Sequence, residues 1–222
     1  MSSTKLPITA GLLVIWLLGA GAGEGAAQIG QRPADQYIDL MENPRRVENL
    51  RVDEVVAALD LQAGETIADI GSGAGAFTIP MARAVGPTGT VYAVDIDQAM
   101  IDYVLGLANE EGLENVVGVL GEFDDPLLPV EDVDVAFLHR TLHMIEHRQA
   151  YLNATAKYMA DDGRIVVVEQ DEDTVRNWMW LHPGDVDTWM AAISFYPARR
   201  VEGFEPRWFT IYQRWSTSYQ RW

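Results

Sequence analysis

The stretch from Ile67 to Phe77, reading IADIGSGAGAF, constrains this chain more than any other. An apolar run opening at Thr66 ends in Asp69 and Ile70, and Gly71, Gly73 and Gly75 follow at alternate positions. A nearly continuous apolar run suits a strand buried on both faces of a parallel sheet. Glycines directly after it let the backbone turn tightly and approach a ligand with no Cβ in between. Strand, glycine turn and new helix together form a cradle for a nucleotide-like cofactor. Gly71-Ser72-Gly73-Ala74-Gly75-Ala76 also fits the dinucleotide fingerprint, so the loop alone does not choose between cofactors. Asp69 does. Its carboxylate repels a pyrophosphate held at a helix N-terminus and attracts a ligand that carries an ammonium and a sulfonium. The adenosine derivative with both cations is S-adenosyl-L-methionine.

A second β-rich run, Thr90 to Val94, ends in Asp95-Ile96-Asp97 after the turn Gly86-Pro87-Thr88-Gly89. Asp95 lies 24 residues beyond Gly71, about where a βαβ unit places the acidic residue that accepts hydrogen bonds from a ribose diol. Asp97 reads mainly as the cap of the next helix, whose apolar residues Met100, Ile101, Val104, Leu105 and Ala108 recur at helical spacing.

With these motifs the chain resembles the class I S-adenosylmethionine-dependent methyltransferases. Asn115 to Leu120 reads as a third strand leading into Gly121-Glu122-Phe123-Asp124-Asp125-Pro126, which is similar to the family's adenine-contacting loop. Val133 to Leu138 gives a fourth strand, followed by His139-Arg140-Thr141-Leu142-His143. A helix from about His147 to Met159, a turn at Ala160 to Gly163 and a fifth strand at Gly163 to Val168 come next. The resemblance covers roughly Val52 to Glu169. It implies a Rossmann-like α/β fold: a mostly parallel seven-stranded sheet with an antiparallel last strand and helices on both faces. It also implies a cofactor site made of Asp69, Gly71, Ser72, Gly73, Gly75, Asp95, Ile96, Glu122 and Phe123.

The 222 residues allow one such domain, spanning 51–222. A lead-in over 28–50 precedes it, with Pro33 opening a helix that Pro44 interrupts. The resemblance folds this lead-in over the methionine end of the cofactor, with Tyr37 and Met41 on one helix face. Downstream, Asp185 to Phe195 reads as a helix, and Arg199 to Gly203 and Trp208 to Trp215 as a closing hairpin. Trp178 and Trp180 serve either core packing or an apolar lid over the acceptor.

Open α/β sheets bind ligands at the carboxyl ends of their strands, so the acceptor site belongs beside His139, Arg140, Thr141 and His143 and near Glu169, Gln170 and Asp171. Histidine is the side chain best poised to take a proton near neutral pH. His143 and His139 are therefore the candidate bases, and they would share a face if the segment were helical. Catechol-type relatives hold a divalent metal through an aspartate at the position of His139 and an Asp-Asn pair after strand five. Neither is present, and no metal is expected. Cysteine is absent, which excludes arsenite-methylating chemistry that depends on thiolates.

With 33 acidic and 16 basic residues the net charge is −17. Such a surface repels phosphate backbones, so the expected partner is a small, partly apolar molecule rather than nucleic acid. Arg45, Arg46 and Arg51 lie among Glu42, Glu48, Asp53 and Glu54 and read as a mixed solvated face. Ile8 to Ala22 is an uncharged apolar run after Lys5, ending near Gly25-Ala26-Ala27. Residues 1–27 thus read as a signal peptide cleaved before Gln28 or as an N-terminal membrane anchor, with export to the periplasm the expected outcome and a cytoplasmic protein the alternative. Two other functions stand beside methyl transfer: an exported cofactor-binding protein of the same fold without catalysis, and an NAD(P)-dependent oxidoreductase. Oligomeric state is not legible.

Overall fold

The computed structural model describes residues 34–170 and 180–214. Its strands are β1 (Thr66–Ile70), β2 (Thr90–Asp95), β3 (Val116–Leu120), β4 (Val133–His139), β5 (Met159–Gln170), β6 (Phe195–Arg200) and β7 (Arg207–Arg214). They form a single sheet in the order β3-β2-β1-β4-β5-β7-β6. The pairs from β3 through β5 are parallel, whereas β7 runs antiparallel to both β5 and β6. This is the expected Rossmann-like arrangement with an antiparallel last strand.

Among the described residues seven α-helices surround the sheet: α1 (Ala34–Met41), α2 (Pro44–Leu50), α3 (Val52–Leu59), α4 (Thr78–Val85), α5 (Gln98–Glu110), α6 (Arg148–Tyr158) and α7 (Pro183–Ala192). Alternate strand residues feed two cores, one on each face. Val135 and Phe137 of β4 join Val55, Leu59, Met81 and Val104, from α3 to α5, in one core. Ala136 and Leu138 join Leu152 of α6 and Val186 and Met190 of α7 in the other. The central strands are covered on both sides, which is why β1 and β4 carry almost unbroken apolar sequence.

The lead-in is two helices rather than one. Pro44 opens α2 instead of only ending α1, because the Asn43 side chain caps the new helix by accepting from the Arg45 N–H at 3.1 Å, and proline suits a first helical turn. β5 begins at Met159, so the segment expected to turn at Ala160 to Gly163 is part of that strand; Met159 pairs with Val133, and the register shifts before Arg164 meets Val135. The closing hairpin also lies earlier than expected. Phe195, expected to end α7, is the first residue of β6 and is fully buried, while Val201 to Gly203 belong to the connection. Residues 1–27, Asp171 and Trp178 lie outside the described residues.

Candidate active site

The glycine loop leaves β1 between β2 and β4, and two backbone N–H groups, of Gly71 and Ser72, donate to the Val94 carbonyl at 2.8 and 3.0 Å. All three loop glycines have positive φ. Two of them also have no room for a side chain. A Cβ on Gly71 would lie 2.4 Å from Thr141 Oγ1, and one on Gly73 would lie 2.7 Å from Met41 Sδ. The loop is therefore pressed by Thr141, just past β4, and covered by Met41 at the end of α1. A second contact holds α1 there, from the Tyr103 hydroxyl on α5 to the Glu42 carboxylate.

The two carboxylates expected to serve the cofactor occupy this loop's floor. Asp69 is buried and accepts from the Thr78 hydroxyl at 2.6 Å, which joins the end of β1 to the start of α4. Burial pushes its carboxyl up to about 7, partly opposed by the Thr78 hydrogen bond and reinforced by the nearby Asp95. Asp95 accepts from Gly73 N–H through Oδ2 and from Asp97 N–H through Oδ1, both at 3.0 Å. Burial raises its pKa as well, against those backbone hydrogen bonds. Each carboxylate oxygen of Asp95 keeps a second lone pair for a ligand hydroxyl. Asp97 caps α5 as expected, accepting from Ala99 N–H at 2.9 Å.

Ser72 supplies a direct test of fit. Its hydroxyl is buried and has no hydrogen-bond partner within the protein. A buried, unpaired hydroxyl on a loop whose backbone is held by Asp95 suits a polar ligand with hydrogen-bonding groups of its own. Ile96 follows Asp95 and is 36% exposed, and Phe123 is 71% exposed beyond the end of β3. Both lie at the carboxyl edge of the sheet with apolar surface free. Glu122 is exposed, and its N–H donates to the Asp125 carbonyl at 2.8 Å.

The two histidines part company. Only a single 3-10 turn, Leu142–Met144, follows β4, so His139 and His143 do not share a helix face. His139 ends β4 and packs its ring against Phe77 at 4.5 Å between centroids. Its Nε2 lies 3.4 Å from Arg207 Nη1, and since a guanidinium only donates, that nitrogen accepts. Burial and then Arg207, Arg140 and Arg46 push its pKa well below the ordinary histidine range. His139 is accordingly neutral and a poor proton acceptor, contrary to its candidacy as a base. His143 is buried with Glu169: its N–H donates to Oε1 at 3.1 Å, and its Nδ1 lies 2.9 Å from Oε2. Because a carboxylate accepts, Nδ1 carries the proton and Nε2 is left as the accepting nitrogen. Both oxygens of Glu169 are thus engaged by His143.

The solvated reading of Arg46 does not hold. Arg46 is half-buried, and its guanidinium is pushed down by burial and by Arg140. Its neighbours lie far along the chain, which no local pattern reveals.

A methyltransferase-domain family model matches residues 61–201. The chain belongs to the class I S-adenosylmethionine-dependent methyltransferases. It is 34% identical over 107 residues to nocamycin O-methyltransferase of Saccharothrix syringae, covering 48% of this chain and 38% of that one. It is 30% identical over 136 residues to a probable cobalt-precorrin-6B C(15)-methyltransferase of Sulfurisphaera tokodaii, covering 61% and 68%. It is also 30% identical over 102 residues to aklanonic acid methyltransferase of a Streptomyces species, covering 46% of each. The chain thus spans between about a third and two thirds of the length of these relatives. A methyltransferase structure from Aquifex aeolicus superposes with a TM-score of 0.73 at 22% identity, covering 82% of this chain and 98% of the other. Magnesium protoporphyrin IX methyltransferase of Synechocystis, with bound S-adenosylmethionine, gives 0.68 at 18% identity, covering 87% and 99%. These likenesses establish the fold.

Proposed function

We propose that the protein transfers a methyl group from S-adenosylmethionine to a small molecule, with Asp69, Gly71, Ser72, Gly73, Gly75, Asp95, Ile96, Glu122 and Phe123 forming the cofactor site. The observation that carries this is the buried, unpaired Ser72 hydroxyl on a glycine loop that Asp95 holds through the Gly73 N–H and Thr141 closes. The names of the nocamycin and aklanonic acid relatives support a small-molecule acceptor. The net charge of −17 argues against nucleic acid.

When bound, the cofactor supplies a methyl group on a positively charged sulfur. Asp69 favours the cations of its methionine end, and Asp95 takes the ribose diol. Gly71 and Gly73, lacking side chains, let the loop approach closely. Methyl transfer depends first on orientation of the acceptor atom in line with the methyl carbon. Where the acceptor arrives protonated, His143 is the group able to take the proton at Nε2, oriented through Nδ1 by Glu169. His139, held neutral among arginines, packs the floor instead.

The test is thermal melting with adenosylhomocysteine, adenosylmethionine, NAD and NADP. The first two are expected to raise the melting temperature and the dinucleotides not. Stabilisation by a dinucleotide alone would replace this reading with a nucleotide-dependent oxidoreductase. We also place residues 1–27 as an export signal, expecting the mature chain to begin near Gln28; intact Met1 on a cytosolic protein would reject that.

A further inference from the structure

Of the arginines among the described residues, most are committed. Arg51, Arg83, Arg164 and Arg200 pair with Glu54, Glu111, Glu65 and Asp187. Arg148, Arg199 and Arg214 donate to backbone carbonyls. Arg46 and Arg140 differ: both are half-buried, and neither side chain has a hydrogen-bond or ion-pair partner among the described residues. Arg140 Nε is buried outright with nothing to donate to. Arg207, the first residue of β7, gives one donor to the Leu50 carbonyl at 2.9 Å and turns the same nitrogen toward His139.

These three guanidinium groups converge. Arg207 reaches His139 and the Leu50 carbonyl at the end of α2, and the charge of Arg140 lowers the pKa of both Arg46 and Arg207, while all three lower that of His139. The nearby carboxylate that Arg207 senses, Glu54, is engaged by Arg51. In a chain carrying 33 acidic residues, three adjoining cations with no ion-paired carboxylate among the described residues are an expensive arrangement unless an anion completes it. Arg140 also sits at φ 54, in the left-handed region, where a non-glycine residue is strained and its persistence points to a task.

The cluster's position supplies that task. Arg140 immediately precedes Thr141, whose side chain presses on Gly71, and follows His139, whose ring packs on Phe77 just past the glycine loop. It therefore borders the carboxyl ends of β4 and β5, where the acceptor must meet the cofactor. The site is divided by charge: Asp69 and Asp95 lie at the ends of β1 and β2, while the arginines gather at the end of β4 and the start of β7. Resting on the methyltransferase reading, we propose that Arg46, Arg140 and Arg207 bind a carboxylate, and that this carboxylate belongs to the methyl acceptor.

The shared chemistry admits one other source, the carboxylate of the cofactor's own methionine end. The cofactor's carboxylate shares its carbon with an ammonium that three guanidinium groups would repel, whereas an acceptor carboxylate carries no such cation. A planar carboxylate matches the guanidinium fork, and a monoanion is less opposed by the overall charge than a phosphate dianion.

Calorimetry on the full chain saturated with adenosylhomocysteine tests this, using 2-naphthoate and its neutral counterpart 2-naphthalenemethanol as probes. The naphthoate is expected to bind at least about tenfold more tightly than the alcohol. Arg140→Gln and Arg46→Gln should each weaken it by about 10- to 100-fold, with Arg46→Lys losing less. Adenosylhomocysteine affinity should stay within about twofold of wild type in both glutamine variants. Arg46 lies on the two-turn outer helix α2, so that variant keeps the test open if Arg140→Gln fails to fold. Equal binding of the two probes, or naphthoate affinity unmoved by Arg46→Gln, would overturn the proposal. A tenfold loss of adenosylhomocysteine affinity in the glutamine variants would also overturn it, by assigning the carboxylate to the cofactor. Absence of adenosylhomocysteine binding to the wild type would overturn both readings, whereas cofactor binding without a naphthoate preference overturns this one alone.

Discussion

The Thr78 hydroxyl donates to Asp69 Oδ2 across 2.6 Å, tying the last turn of β1 to the first residue of α4 around the glycine loop. That single bond partly offsets the burial that pushes Asp69 up to about 7. The folded value lies above the usual carboxylate value near 3.9. Asp69 thus favours the ligand-free fold most at low pH, and this contribution is lost as pH rises through about 7. A cationic ligand needs the ionised form, so binding below pH 7 expels a proton. Adenosylmethionine affinity should be about tenfold weaker at pH 6 than at pH 8, and Asp69→Asn should remove that dependence along with part of the affinity. Calorimetry in buffers of different ionisation enthalpy reads both.

Asp95→Ala should fail in another way. It removes an acceptor for the ribose diol and also frees the Gly73 and Asp97 N–H groups that Asp95 now holds. Adenosylmethionine and adenosylhomocysteine share the ribose, so both should lose affinity equally, by something like 10- to 1,000-fold. A loss confined to adenosylmethionine would contradict the assignment.

Strain and collision can be separated at two glycines. Gly86 has φ 67 and open space around it, whereas Gly71 has φ 75 and Thr141 in the way. Gly86, at ψ −176, lies in a region essentially reserved for glycine, so Gly86→Ala should cost about 1–3 kcal/mol from backbone alone. Gly71→Ala should cost more and abolish the melting shift given by adenosylhomocysteine, while Gly86→Ala keeps it.

For the buried pair, His143→Ala keeps the backbone N–H on Glu169 Oε1 but leaves Oε2 without its partner in a fully enclosed position. Chemical denaturation should show a loss of about 3 kcal/mol or more, and a cycle with Glu169→Ala should reveal coupling of at least about 1 kcal/mol. Additive losses would mean that the two residues do not act together.

How far the chain could be read without coordinates depended on how far apart the interacting residues lie. The glycine loop, Asp95 and the Asp97 cap are governed by neighbours within one βαβ unit, and they fall where the sequence pattern places them. The fourth-strand histidines were less legible because their separation suggested a helix, whereas Arg140 at φ 54 turns the chain and leaves a single 3-10 turn. The hairpin moved because Phe195 is claimed by the core rather than by α7. Arg46, Arg140 and Arg207 come from three distant segments, so their meeting depends on sheet order and could not be seen as a local motif.

The unequal edges of the sheet bear on how the protein behaves when it is stressed. β6 ends the sheet with Pro197, a register shift and two arginines, features that discourage another strand from pairing there. At the opposite edge β3 reads Val-Val-Gly-Val-Leu without charge or proline, and Val117 and Leu120 are 41% and 50% exposed. Self-association of partly unfolded molecules is therefore directed to one side, and a lysine at Val117 is the substitution that would guard it.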